Sequence, residues 1–258
     1  SGTNRTLDGT TIMSQLNCHQ RGVLMTVFGV LVLTPDALLV RLVETDHWTL
    51  LFWRSLFAGI SLFALNSFIE KRSPIRAMGG LLKNGLFFTL LFAGGNICFI
   101  ISITHTVVAN TLVILASMPF ISAILTVCLK HNNLAIRTWI TIFFAIAGIV
   151  FVFWGNLGDG NALGDIFALL CALCMAAGLV SVNLNPKINT TAAISLGSFL
   201  TAIVGLYMGA DPAAVSTRDF LFLVLNGGII IPIALGLIAY GPKLISAPEV
   251  SLIMLLET

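Results

Sequence analysis

Charge is what this sequence has least of. Lys and Arg number 13 and Asp and Glu 11 among 258 residues, so charged side chains make up 9% of the chain. A soluble domain needs roughly 25% to solvate its surface. With 57% hydrophobic residues and a mean hydropathy of +1.01, the main solvent of this chain is lipid. The net charge of +2 is too small to hold a nucleic acid, and the basic residues stand singly in short loops. No nucleotide-binding glycine loop, HExxH motif or Ser/His/Asp set is present, which speaks against ATP-driven pumping by this chain. Of five cysteines, four lie in apolar runs, where cysteine behaves as a small hydrophobe. Cys171 and Cys174 form a CxxC without a companion His or acid at ligand spacing, and His47, His105 and His131 fall near span ends or loops. Neither a metal nor a cofactor is expected.

What the sequence does have is long apolar runs. Crossing a bilayer core of ~30 Å takes about 20 helical residues. By that measure spans are predicted at 22–41, 48–68, 84–104, 107–129, 135–154, 163–183, 190–209 and 219–240, with a ninth beginning at 244. The connections are short and rich in Gly, Pro, Asn and Asp, which leaves no room for a soluble domain. The first 20 residues are polar and lack the pattern of a signal peptide. With no Met at position 1 and a ninth run that stops at "LIMLLET", the expectation is a piece of a longer chain.

Lys and Arg in short loops set orientation. With the N-terminus cytoplasmic, the inner side receives Arg21, Lys71, Arg72, Arg76, Lys83, Lys130, Arg137, Lys187 and Lys243. The outer side receives Arg41 and Arg218, and its loops carry Glu44, Asp46, Asp159, Asp211 and Asp219. The bias holds loop after loop, as it would not if a span had been missed.

The chain also repeats. "GVLMTVFGVLVLTPD" (22–36) aligns with "GDIFALLCALCMAAG" (164–178), and "HTVVANTLVILASMP" (105–119) with "KLISAPEVSLIMLLE" (243–257). The polar segment 1–20 is thus followed by one repeat at 21–155 (spans one to five) and an incomplete second at 156–258 (spans six to nine). Five is odd, so the second repeat runs in the opposite sense. The predicted fold is an all-α integral membrane bundle of two inverted five-helix repeats. Ten spans are expected, of which about eight and a half are present. Inverted repeats are a recurrent build for secondary transporters.

Four stretches carry a family resemblance: "TPDALLVRLVETDHWTLLFWRSLFAG" (34–59), "VVANTLVILASMPFISAILT" (107–126), "GDIFALLCALCMAAG" (164–178) and "SAPEVSLIMLLET" (246–258). With the five-plus-five layout, they resemble the EamA-type branch of the drug/metabolite transporter superfamily over nearly the whole chain after residue 20. The resemblance implies movement of small metabolites, amino acids or drugs through a central cavity by alternating access, in a bacterial inner membrane. It also implies that Glu257 matches a glutamate often found in the ninth span of that family.

Ionisable groups at membrane depth are costly and tend to face a cavity or a partner. Asp36 falls about one turn before the outer end of span one and Arg54 about two turns into span two, so they are expected at similar depth. They read either as a gate or substrate contact, or as an ion pair joining two helices, while snorkelling beside Trp48 and Trp53 is a third account of Arg54. Glu249 and Glu257 lie eight residues apart on one side of span nine, with a proton or substrate-amine role weighed against a structurally satisfied carboxyl. Pro119, flanked by Asn110 and Ser117, frees the Leu115 carbonyl and bends span four. Pro232 in "NGGIIIPIALG" and "GGN" at 94–96 point to irregular helices around a site, with Asn96 the polar candidate in span three. Asp165 reads as a residue favouring a helix N-terminus. The stripes Ala168–Ala172–Ala176 and Thr201–Gly205–Gly209 read as packing.

The reading is a secondary transporter whose partners are the bilayer, a small solute and protons as coupling ion, as monomer or homodimer. The alternatives are an integral-membrane enzyme acting on a lipid-like substrate and a non-transporting membrane component.

Overall fold

The computed structural model describes residues 17–70, 85–130 and 162–257, and among these every regular element is helical. In chain order they are α1 (Cys18–Leu42), α2 (His47–Glu70), α3 (Leu86–His105), α4 (Val108–Leu115), α5 (Met118–Lys130) and α6 (Ala162–Leu184). They continue as α7 (Thr190–Tyr207), α8 (Thr217–Leu225), α9 (Ile231–Tyr240) and α10 (Ala247–Met254). Helices α4 and α5 are the two halves of the expected fourth span. A π-helical turn, Asn226–Ile230, joins α8 to α9 as the eighth, and α10 with the 3-10 turn Leu255–Glu257 begins the ninth. The expected fifth span, 135–154, lies outside the described residues.

Among the described residues, six segments are long and apolar enough to cross a membrane: His47–Phe68, Leu86–His105, Asn110–Leu129, Ala162–Leu184, Thr190–Tyr207 and Thr217–Lys243. At 25 residues α1 has the length as well. Large apolar side chains such as Phe28, Phe68, Phe87 and Ile203 stand exposed around the bundle. In water so much apolar surface would drive association; in a bilayer it is the lipid-facing coat.

Hydrogen bonds between helix ends fix the sense of each helix. His19 at the start of α1 contacts Glu249 at the start of α10 (3.3 Å), and Asn189 before α7 donates to Asn66 near the end of α2 (3.0 Å). Lys243 after α9 donates to the Ile188 carbonyl (2.8 Å). These contacts gather at one end of the bundle, which carries Arg21, Lys187 and Lys243. At the other end Thr106 after α3 donates to Asp165 in the first turn of α6 (3.0 Å), and the Asp211 N–H after α7 donates to Thr49 at the start of α2 (2.9 Å). Helix α6 therefore runs opposite to α1. Lys130 and Ala162, the described residues on either side of 131–161, end and begin helices at opposite ends of the bundle.

The helices pack as interlocked pairs: α1 with α9, α2 with α7, α3 with α6, and α5 with α10. Exchanging α1 with α6, α2 with α7, α3 with α8–α9, and α4–α5 with α10 maps this pairing onto itself. Each pair thus takes one helix from each half of the sequence. Small residues permit the approach. A Cβ at Gly29 would lie 2.9 Å from Ile238, and one at Gly205 would lie 3.3 Å from the Trp48 carbonyl. Ala168, Ala172 and Ala176 are fully buried, as a packing stripe requires. Gly209 departs from its stripe. It is exposed with φ +106°, has no neighbour for a Cβ, and ends α7 through Gly209 N–H to Leu206 and Ala210 N–H to Gly205. That left-handed stop is where glycine costs least.

Both predicted proline breaks lie where backbone bonding is interrupted. Pro119 sits in the first turn of α5, and the chain turns at Ala116–Ser117, where the Ser117 N–H and hydroxyl both reach the Ile114 carbonyl (3.0 and 2.6 Å). Ahead of Pro232 the helix widens, and Ile231 N–H bonds five residues back to Asn226. A π turn of this kind absorbs the donor that proline lacks. Gly227 in that turn lies against α2, and a Cβ there would stand 2.6 Å from the Arg54 carbonyl oxygen and 3.0 Å from Phe57. Backbone cannot yield as a side-chain tip can. Gly227→Ala is expected to cost about 1–3 kcal/mol, the scale of core overpacking, read as a lower melting temperature in detergent.

Candidate functional site

A cavity of about 190 Å³ lies at the centre of the bundle, and every helical span with described residues contributes to its wall. Asp36 of α1 and Arg54, Ser55 and Ala58 of α2 line one side. Asn96 and Phe99 of α3, Cys171 and Met175 of α6, and Ser198 and Thr201 of α7 line the rest, with Ile231 and Leu235 at the broken eighth span.

The charged pair dominates its electrostatics. Arg54 Nη2 donates to Asp36 Oδ2 at 2.7 Å, and the two side chains are 19% and 11% exposed. A lone arginine or aspartate at a helix centre in a bilayer costs about 2.5–3.5 kcal/mol on insertion scales, and pairing removes much of that cost. The distance decides against snorkelling as the account of Arg54. Trp53 packs among Phe52, Phe57 and Phe220, with ring centroids 5.1–5.3 Å away. Asp36 Oδ1 is buried without a hydrogen-bond partner, so the pair retains one unused acceptor. Pro35, one residue earlier inside α1, removes a backbone donor beside it.

Asn96 uses one amide N–H on the Phe92 carbonyl (2.9 Å), and Thr201 donates to the Gly197 carbonyl (2.9 Å). Toward the end that carries Lys187 and Lys243, the cavity gives way to a second space of about 60 Å³, enclosed by apolar residues including Phe88, Gly178, Val182 and Pro242. Phe92, Met118, Met175, Leu235 and Met254 line both spaces and form the throat between them. Three methionines from three helices meet there, and methionine has the most adaptable apolar side chain. A Cβ at Gly95 would lie 2.9 Å from the tip of Met175. Gly95→Ala is therefore expected to leave the fold intact, push Met175 into the throat and slow solute flux several-fold, as read by uptake beside a melting curve.

The other predicted residues lie elsewhere. Ser117 is buried but its hydroxyl is spent on the Ile114 carbonyl at the end of α4, and Met118 rather than Pro119 reaches the cavity. Asn110 sits in the first turn of α4, outside the cavity wall. Glu249, a pathway candidate on span nine, is the last member of a capping box: its carboxylate accepts from the Ser246 N–H (3.0 Å) and contacts His19, nearly half exposed. Glu257 ends the last 3-10 turn, and its side chain lies outside the described residues. Asp165 is fully buried in the first turn of α6, one oxygen accepting from Thr106 and the other without a partner. Ser55, Ser198 and Met175 line the cavity without having been singled out in the sequence. Ser198 and Thr201, one turn apart on α7, were the available signal.

An all-helical, lipid-coated bundle with a polar centre and broken helices around it is the architecture of a polytopic membrane transporter. The model of the EamA-like transporter family matches residues 20–154, more than half of the chain, and the chain belongs to that family. Membrane transport of small solutes is the work of this family. No curated protein matches the sequence. Among solved structures, one described only as "Crystal structure of protein" superposes with a TM-score of 0.67 over 93% of this chain and 84% of its own. At 13% identity it is similar in fold alone.

Proposed function

We propose that this chain is a secondary transporter that carries a small dipolar solute through the central cavity by alternating access. The observation that carries the reading is the cavity itself, with a charged pair and amide at its wide part and an apolar methionine throat on one side. Arg54 offers donors to an anionic group of the solute, and the unused oxygen of Asp36 offers an acceptor to an ammonium or hydroxyl. The neutral sum of the pair favours a zwitterion or a polar neutral molecule over a strongly charged one. Asn96 supplies a third polar contact, and Phe99 and Met175 suit an apolar portion. Because the α1–α9 and α3–α6 pairs each join the two repeats, the bodies that rock are α1 with α8–α10 against α3 with α4–α6; the α2–α7 pair lies between them and the α5–α10 contact is the seam where they meet.

The coupling ion is a proton, for which Asp36 and Glu257 are the carboxylates to mutate. The N-terminus is cytoplasmic in a bacterial inner membrane, on the distribution of Lys and Arg. Cys18 is exposed at the start of α1. A membrane-impermeant maleimide is expected to label it in inside-out vesicles and not in right-side-out ones, with the other four cysteines replaced. Labelling from the outside would reverse the orientation. The transport reading itself is tested by uptake into proteoliposomes. Asp36→Asn and Arg54→Gln proteins that fold yet carry solute as the wild type does would remove the pair from the pathway.

A further inference from the structure

We propose that the end of the bundle carrying Lys187 and Lys243 holds a site for an anionic phospholipid, in the groove between α1, α2, the start of α7 and α9. This groove encloses about 610 Å³, more than three times the central cavity, and shares no lining residue with it. Its two ends differ in chemistry. Met25, Leu65, Pro232, Ile233 and Leu237 make an apolar trough, while Asn66, Lys187, Asn189, Thr190, Thr191 and Lys243 make a polar, cationic rim. Leu65, Ile233 and Tyr240 are also exposed on the outside of the bundle, so the trough opens sideways to lipid.

The rim has built geometry. The Lys243 ammonium is held by the Ile188 carbonyl at 2.8 Å and lies 5.2 Å from the Tyr240 ring centroid, which fixes a charge at the mouth of the groove. Lys187 stands exposed beside it, and the 18-residue α7 begins at Thr190 on the same rim with its positive dipole end. A phosphate with hydroxyl or ester oxygens fits these cations and hydroxyls. The trough continues from that rim to membrane depth, which an acyl chain would fill and a free anion would leave empty. Its floor is Gly236, where a Cβ would meet nothing within 4 Å. A larger side chain at this position therefore has open space in the groove to enter.

The test is native mass spectrometry of the full-length protein in detergent, titrated with phosphatidylglycerol, with phosphatidylcholine of the same chains, and with glycerol phosphate. Phosphatidylglycerol is expected to bind at least about tenfold tighter than phosphatidylcholine, on the scale of two surface lysines. Lys187→Gln with Lys243→Gln should abolish that preference. Gly236→Leu leaves every charge in place and has room for its side chain, yet should weaken phosphatidylglycerol roughly tenfold, with melting temperature as the check on folding. Equal binding of the two lipids, or wild-type binding by the Gly236→Leu protein, would overturn the proposal. Glycerol phosphate binding as tightly as the lipid would overturn it too, leaving an anion site in its place.

Discussion

Reversing either member of the buried ion pair, as Asp36→Arg or Arg54→Asp, is expected to cut solute flux by at least about 100-fold, and the double reversal to recover a substantial part of it. Breaking a buried pair leaves an uncompensated charge, which costs about 3–5 kcal/mol in a protein interior. The lipid around this bundle offers no better solvent. Arg54 is bound at 2.7 Å and neither side chain is more than one-fifth exposed, so the full penalty applies. The double reversal restores the attraction between α1 and α2 and with it the melting temperature. It also exchanges the donor and acceptor positions offered to a solute, so flux should recover less fully than stability. That split separates a contact on the pathway from a structural clasp, for which both would recover together. A double variant no better than either single reversal in both measurements would mean that the two charges do not act as a pair.

The second large effect concerns motion. Ser122 of α5 and Ser251 of α10 are buried and hydrogen-bonded hydroxyl to hydroxyl at 3.0 Å. They join one proposed rocking body to the other. In a background with the five native cysteines replaced, Ser122→Cys with Ser251→Cys places two thiols within reach of disulfide geometry. Oxidation is expected to stop turnover almost completely, and reduction to restore it. Full turnover by the oxidised, cross-linked protein would exclude rocking of these two bodies. A cross-link between α2 and α7, which already touch from Thr49–Asp211 to Asn66–Asn189, should by contrast be tolerated.

Much of this molecule is legible before folding. Span limits follow from the length of helix that lipid requires, which a water-soluble surface would not impose. Asp36 and Arg54 could be paired on paper because each is an isolated charge in an apolar run, at matching distance from the same short loop. Pro119 and Pro232 marked the broken helices because a missing N–H has the same consequence in any context. The face that each helix turns to the cavity was not legible. In a soluble helix the polar side reveals the apolar one, but lipid-facing and core-facing residues here are equally apolar, so Met175 and Met118 carry no mark. Glu249 shows the opposite failure. "SAPE" at 246–249 is a capping-box pattern, with Ser three residues before Glu, and it turns that carboxylate to Ser246 and His19 rather than to the cavity. The interlocking of the repeats was likewise beyond the sequence, which shows two similar halves but not that each helix pairs with one from the other half.

The most direct test of solute movement through the cavity is uptake by the full-length protein in proteoliposomes exposed to a small-molecule cell extract, with the lumenal contents read by mass spectrometry. The account predicts that at least one small dipolar compound accumulates relative to protein-free vesicles. An imposed pH gradient should change that accumulation, and Arg54→Gln should remove it. A folded wild-type protein that enriches no component of the extract, with or without the gradient, would contradict it.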